Sequence, residues 1–346
     1  MIDVIDAARD PLWEDLVAKR DSSVFHSPPW LHVLAETYDF PIRARVLRDE
    51  TGAPHAGLVY AEVADFLDPR IAALPFSDFC DPLVTDEQEW HALTEDLIAQ
   101  RRRIDLRCLN TAVPLSDGRF SVVDRAMWHG IDVQRDDDEI WRALPSSARR
   151  ALRKARADGV EVKFAREEAD LRAFFELHLR VRKNKYRLLA QPYRFFTNIW
   201  EQFLARDRGA LVLAAVDGRP IAGCLFLEWQ DTLYYKFNAS DATYLSARPN
   251  DRVLWEGINL ARDKGLERID FGLTDADQEG LLRYKRKYAT AEKTITMLRH
   301  RPDGSPSTRD RQGRDVLQEI TRLFTDESVP DGISERAGEV LYRYFV

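Results

Sequence analysis

Cysteine is scarce in this sequence. Cys80, Cys108 and Cys224 stand alone and are odd in number, which builds no disulfide framework and fits a reducing cytoplasm, the expected location. There is no C-x-x-C pair and no cluster among the seven histidines, so no metal site is expected. No apolar run approaches the ~18 residues of a membrane span. The opening "MIDVIDAARDPLWEDL" carries acids within its first ten residues and shows no signal peptide. Also missing are a G-x-S-x-G elbow, an H-E-x-x-H pair and an evident Cys-His pairing, which sets aside the common serine, zinc and cysteine hydrolases.

What is present describes a folded protein long enough for two domains. The chain has 346 residues, 45% hydrophobic and 32% charged, with a net charge of −7. That acidity argues against a general nucleic-acid binder but leaves room for local basic grooves.

The chain also repeats itself. "APHAGLVYAE" (53–62) is similar to "RPIAGCLFLE" (219–228), with Pro54, Ala56, Gly57 and Glu62 falling on Pro220, Ala222, Gly223 and Glu228. Trp90 then matches Trp255, and Arg103-Ile104-Asp105 matches Arg268-Ile269-Asp270, after a one-residue gap. Two blocks in the same order point to duplication of one domain.

The second copy reads β-β-β-α-β-α-β. "GALVLAAVDGRPIAGCLFLEW" is a hairpin around Asp217-Gly218, "TLYYKFNAS" a third strand, and "NDRVLWEGINLARDKG" a helix capped by Asn250 or Asp251. "ERIDFG" is a buried strand, "QEGLLRYKRKYA" a helix and "KTITMLR" a closing strand. The first copy repeats the hairpin in "IRARVLRDETGAPHAGLVYAEV". Four consecutive acids, Asp136 to Glu139, suit the positive end of a new helix and mark the linker. The expected domains are therefore 1–135, 136–300 and a C-terminal tail 301–346 that packs back on the first domain.

This order is similar to that of the GNAT acyltransferases, and the duplication narrows it to a resemblance to the Fem (FemABX-like) aminoacyltransferases, which carry two GNAT-like domains in tandem. Four stretches carry it: "FHSPPWLHVL"; "IWRALPSSARRALRKARADGVEV"; "LHLRVRKNKYR" with "RFFTNIWEQF"; and "YKFNASD" through "GLLRYKRKYA". Together they span most of residues 25 to 300. The resemblance implies an α/β (α+β) fold of two tandem GNAT-like domains, each a mixed sheet flanked by helices. It implies transfer of an aminoacyl group from aminoacyl-tRNA to an amine, on a peptidoglycan precursor or a small peptide or metabolite, without a resident cofactor. Aminolysis of an activated ester needs a positioned amine and a stabilised oxyanion, not a covalent nucleophile.

One more absence bears on the donor. Acyl-CoA enzymes of this superfamily usually hold pyrophosphate on a Gly-rich turn, yet the matching "SDATYLSARPND" contains no glycine. Acyl-CoA is thus the second choice of donor, and a non-catalytic GNAT pair clasping an anion is the third reading. The chain also lacks the family's charged helical arm, and the first helix offers only His32 where cell-wall enzymes place a basic residue.

Three basic runs stand out: Arg149 to Arg156, Arg180 to Arg187, and "RYKRK". A solvated helix face is the ordinary reading of each; three in the second copy of an acidic chain favour a phosphate-binding cleft. By the resemblance, Lys285 is the charge stabiliser and Tyr284 lines the channel. Asp270 orients a cation or takes the amine's proton, although its twin Asp105 favours a structural role. Arg182 and Tyr186 bind the acceptor's phosphates, and Tyr235 faces the acceptor unless its strand neighbour Tyr234 does. Arg149 and Arg153 are substrate-binding candidates on one helical face. The first copy has no basic helix in "TAVPLSDGRFSV", so the working site is expected in the second.

Overall fold

The computed structural model describes every residue except Asp136, Asp303 and Ser305, and leaves aside the side chains of Asp137 and Asp138. Of the acidic run, Asp136 and the side chains of Asp137 and Asp138 thus lie outside the described residues, while a helix starts at Asp137.

The chain forms two compact units. The first comprises Met1–Trp128 with Lys293–Glu319 and Arg343–Val346, the second His129–Glu292 with Ile320–Tyr342. In the first half of the chain the elements are β1 (Ile2–Asp6), α1 (Pro11–Lys19), α2 (Pro28–Tyr38), β2 (Ile42–Arg48), β3 (Pro54–Val63) and β4 (Arg70–Ala72). They continue with α3 (Glu87–Ala99), β5 (Arg103–Cys108) and β6 (Ser121–Asp132). The second half runs α4 (Asp137–Ala143), α5 (Ser146–Ala157), β7 (Glu161–Phe164), α6 (Glu168–Arg180), α7 (Tyr193–Gln202), β8 (Gly209–Val216), β9 (Arg219–Trp229) and β10 (Thr232–Ser240). It closes with α8 (Pro249–Asp263), β11 (Arg268–Asp275), α9 (Glu279–Arg286), β12 (Ala291–His300), α10 (Thr308–Phe324) and α11 (Asp331–Leu341).

The two units are built alike. In the first the strand order is β1-β2-β3-β4-β5-β12, and in the second β11-β10-β9-β8-β7. Each is antiparallel except at one parallel pair. That pair carries the repeated triplet: Arg103, Ile104 and Asp105 register with Arg70, Ile71 and Ala72, as Arg268, Ile269 and Asp270 register with Thr232, Leu233 and Tyr234. The repeated glycines have one job too. A Cβ on Gly57 would lie 2.5 Å from Leu16 and 2.9 Å from Trp13 of α1, and one on Gly223 would lie 2.9 Å from Phe174 of α6. Only glycine lets a helix lie that close to the strand. The Asp217-Gly218 turn of the β8–β9 hairpin has φ of 50° and 76°, the left-handed pair of a two-residue turn.

The parallel pairs end differently. In the first unit β4 stops at Ala72, and the chain returns to occupy the place β4 vacates. Cys80 donates its N–H to Arg107 of β5 at 2.9 Å, while Leu83 and Gly57 of β3 exchange main-chain bonds of 2.8 and 3.0 Å. In the second unit β10 runs on to Ser240 against β9, but its pairing with β11 ends at Tyr234–Asp270. Among the described residues no strand pairing fills the wedge between β10 and β11 beyond that point, and it is open in this sense.

Candidate active site

The open wedge is bordered by residues whose directions follow from local backbone. The β10–β9 register shifts between Tyr235 and Phe237, so Lys236 is an extra residue. Tyr235 packs on Phe226 and Phe271, with ring centroids 5.6 and 5.1 Å apart. Phe237 instead meets His178, Phe195 and Phe196 beneath α6 and α7. Without the bulge, residues two apart would share a face.

Lys285 is buried, 4% exposed. Its Nζ donates to the carbonyls of Gly272 and Leu273 at 3.1 and 2.9 Å, so α9 delivers one ammonium charge to β11 just past the end of its ladder. Asp270 Oδ1 accepts the Gly272 N–H at 2.6 Å, holding the φ +67° turn from which those carbonyls project. Tyr284 donates its hydroxyl proton to the Asn250 carbonyl at 3.0 Å and hydrogen-bonds Tyr235. Burial pushes both phenols well above the usual tyrosine range, keeping them neutral hydrogen-bonding groups.

Sequence reasoning missed the neighbouring knot. Tyr288, one helical turn beyond Tyr284, donates to Asp251 Oδ1 at 2.5 Å, and Lys287 pairs with the same oxygen. Asp251 is 5% exposed. Burial, followed by the Asp251 charge, drives the Tyr288 phenol far up. The i, i+4 spacing of Tyr284 and Tyr288 was the available signal. The expected cap, Asn250 or Asp251, is not the one found: α8 starts at Pro249 after Arg248 at φ 63°, with no side-chain cap. Proline supplies the first helical φ and needs no N–H partner, which frees Asp251 for Lys287 and Tyr288.

A second missed group is His129, whose side chain is fully buried. Its Nε2 lies 2.8 Å from Glu292, whose carboxylate grips Arg286 at 2.7 and 3.1 Å. Burial outweighs Glu292 and lowers the imidazole pKa, with Lys285 and Arg286 adding to the effect.

The other expected site residues have different partners or stand exposed. Arg149 donates to the carbonyls of Arg142 and Leu144 at 2.9 and 2.8 Å, closing the C-terminal end of α4. Arg153 is exposed on α5, opposite the buried Ala148, Leu152 and Ala155. The i, i+4 pairing of Arg182 with Tyr186 is replaced by a π-turn over Val181–Lys185, in which Tyr186 N–H reaches Val181 at 3.3 Å. Arg182 Nε donates to Leu189 O at 3.0 Å, and Tyr186 is exposed beside Lys185.

The rest of that basic run is covered by the C-terminal segment. Lys183, 4% exposed, pairs with Asp331 at 2.9 Å and with the Val329 carbonyl. Arg180 faces Asp331 at 3.7 Å, Arg187 faces Glu327 at 2.5 Å, and Arg172 takes Glu335 with two bonds of 2.8 Å. Among the described residues no group of three His, Cys, Asp or Glu could hold a metal, and no helix is long and apolar enough to cross a membrane.

The fold has known counterparts. Residues 144–286 match a family model described as an acetyltransferase (GNAT) domain. FemX covers 91% of this chain with 100% of its own, at TM-score 0.63 and 13% identity. L-PGS from Bacillus licheniformis covers 92% with 98% of its own, at 0.57 and 10%. A tandem GNAT protein from the clavulanic acid biosynthesis pathway, solved without AcCoA, covers 89% with 100% of its own, at 0.51 and 11%. At such identities these likenesses concern the fold. No curated protein matches the sequence closely. Residues 144–286 are thus similar in sequence to a GNAT acetyltransferase domain. The chain as a whole has the tandem-GNAT fold of Fem-like proteins.

Proposed function

We propose that this chain forms amide bonds, moving an aminoacyl group from aminoacyl-tRNA to the primary amine of a peptidoglycan precursor or a smaller peptide or metabolite. The amine nitrogen attacks the ester carbonyl, the ester C–O bond breaks, and the amine's proton ends on the departing ribose oxygen. Lys285 supplies positive charge where the oxyanion develops, and neutral Tyr284 and Tyr235 line the approach.

The observation that carries the choice of donor is the buried acid in the first turn of α8, Asp251. An acyl-CoA enzyme needs main-chain N–H groups there for pyrophosphate. Here the buried Asp251 carboxylate stands in the first turn, locked by Lys287 and Tyr288, and would repel that group. The second reading, an acyl-CoA-dependent N-acyltransferase, draws support from the acetyltransferase model matched by residues 144–286. Incubation with labelled aminoacyl-tRNA or labelled acetyl-CoA, each with a panel of primary amines, separates the two. Amide product from the tRNA ester is expected; product from the thioester alone would overturn the choice.

A further inference from the structure

Near the first turn of α8 lies an open groove of about 790 Å³, with Pro145 and Ser147 at the start of α5 on one side and α9 on the other. From α9 and the residue after it come Arg283, Arg286 and Lys287, with Glu279 as the acid in the lining. Arg283 is exposed and has no hydrogen-bond or ion-pair partner among the described residues. Arg286 is spread flat by its two bonds to the exposed Glu292 carboxylate. Lys287 joins the groove to Asp251, and through it to Tyr288. Arg150, exposed and three residues after Ser147, lies on the same helical face and among the described residues holds only the Ser146 hydroxyl, at 3.1 Å.

We propose that this groove binds the phosphodiester backbone of the donor, in place of the α8 terminus. Under the reading given above the ligand is the single-stranded 3′ end of the tRNA. Guanidinium groups suit phosphate because they offer paired N–H donors in one plane. The groove's size is in the range of sites for organic ligands, well beyond that of a lone phosphate ion. Lys287 places the groove next to the tyrosine wall, so a donor with its acyl end in the wedge would lay its nearest phosphates on Arg283 and Arg150. A CoA thioester presents the same phosphate-ester chemistry, and the experiment distinguishes the two sources.

The test is binding of deacylated tRNA by fluorescence anisotropy across a salt series, for wild type, Arg283→Ala, Arg150→Ala, Arg283→Lys and the control Lys19→Ala. Arg283→Ala in the groove lining and Arg150→Ala at its α5 edge are each expected to weaken binding about 5- to 10-fold and reduce the log K against log salt slope by about one. Arg283→Lys should keep the slope, and Lys19→Ala should behave as wild type. KM for aminoacyl-tRNA and for acyl-CoA is then measured for the same variants. Transfer from aminoacyl-tRNA with affinity, slope and KM unchanged by Arg283→Ala and Arg150→Ala would overturn the groove and leave the donor reading standing. Transfer from acyl-CoA alone, with its KM raised by Arg283→Ala, would overturn the donor reading and uphold the groove.

Discussion

Single residues here carry roles that depend on what burial leaves them to touch. Asp251 serves two partners with one oxygen, Lys287 and Tyr288. Asp251→Ala would leave the Tyr288 hydroxyl and the Lys287 ammonium short of a partner, and a loss of ~3 kcal/mol in urea unfolding is expected. The buried histidines give a pH signature. Burial lowers His26 to about 4 and His178 to about 3, from 6.5. Their folded forms resist protonation while the unfolded chain accepts it below pH 6.5. The stability these neutral rings allow is therefore complete above that pH and is lost as the pH falls toward 4 and 3. Each ring contributes a slope of up to about 1.4 kcal/mol per pH unit. Melts between pH 7 and 4.5 should show the decline, and His178→Gln should flatten it.

At the scale of elements, the C-terminal segment decides what the second basic run does. Read alone, Arg180 to Arg187 is a phosphate-binding helix face; in the fold, Glu327, Asp331 and Glu335 occupy several of its cations and Arg172. The complementary acids lie more than a hundred residues away, so local periodicity carried no trace of them. The π-turn and the β10 bulge were equally invisible, since each is one extra residue in an otherwise regular pattern. Turn chemistry was legible: Asp217-Gly218 marked its hairpin, and Gly265 ended α8 at φ 70°. Asp331→Ala removes the partner of a buried ammonium at a half-exposed carboxylate, and should cost about 1–3 kcal/mol by thermal or urea melts. Lys183→Met together with Asp331→Ala should recover most of that loss.

For the molecule as a whole, the repeat was the most informative feature of the sequence because it reflects packing. Gly57 and Gly223 match because each admits a helix, and the Arg-Ile-Asp triplets match because each forms the short parallel ladder. Gly57→Ala and Gly223→Ala should therefore destabilise similarly, by about 1–3 kcal/mol in urea unfolding, as overpacked positions do. What identity could not show was the difference between the wedges, one filled by residues 80–83 and the other open. "EGLLRYKRKYA" stands over the open one, with Lys285 turned inward and Arg283 outward. The most direct measurement is single-turnover amide formation from aminoacyl-tRNA by wild type and by Lys285→Met, with folding checked by circular dichroism. Loss of a charge stabiliser should slow the folded variant on the order of 100-fold while tRNA affinity stays within a few-fold. Transfer by folded Lys285→Met at the wild-type rate would contradict placing the chemistry at this wedge.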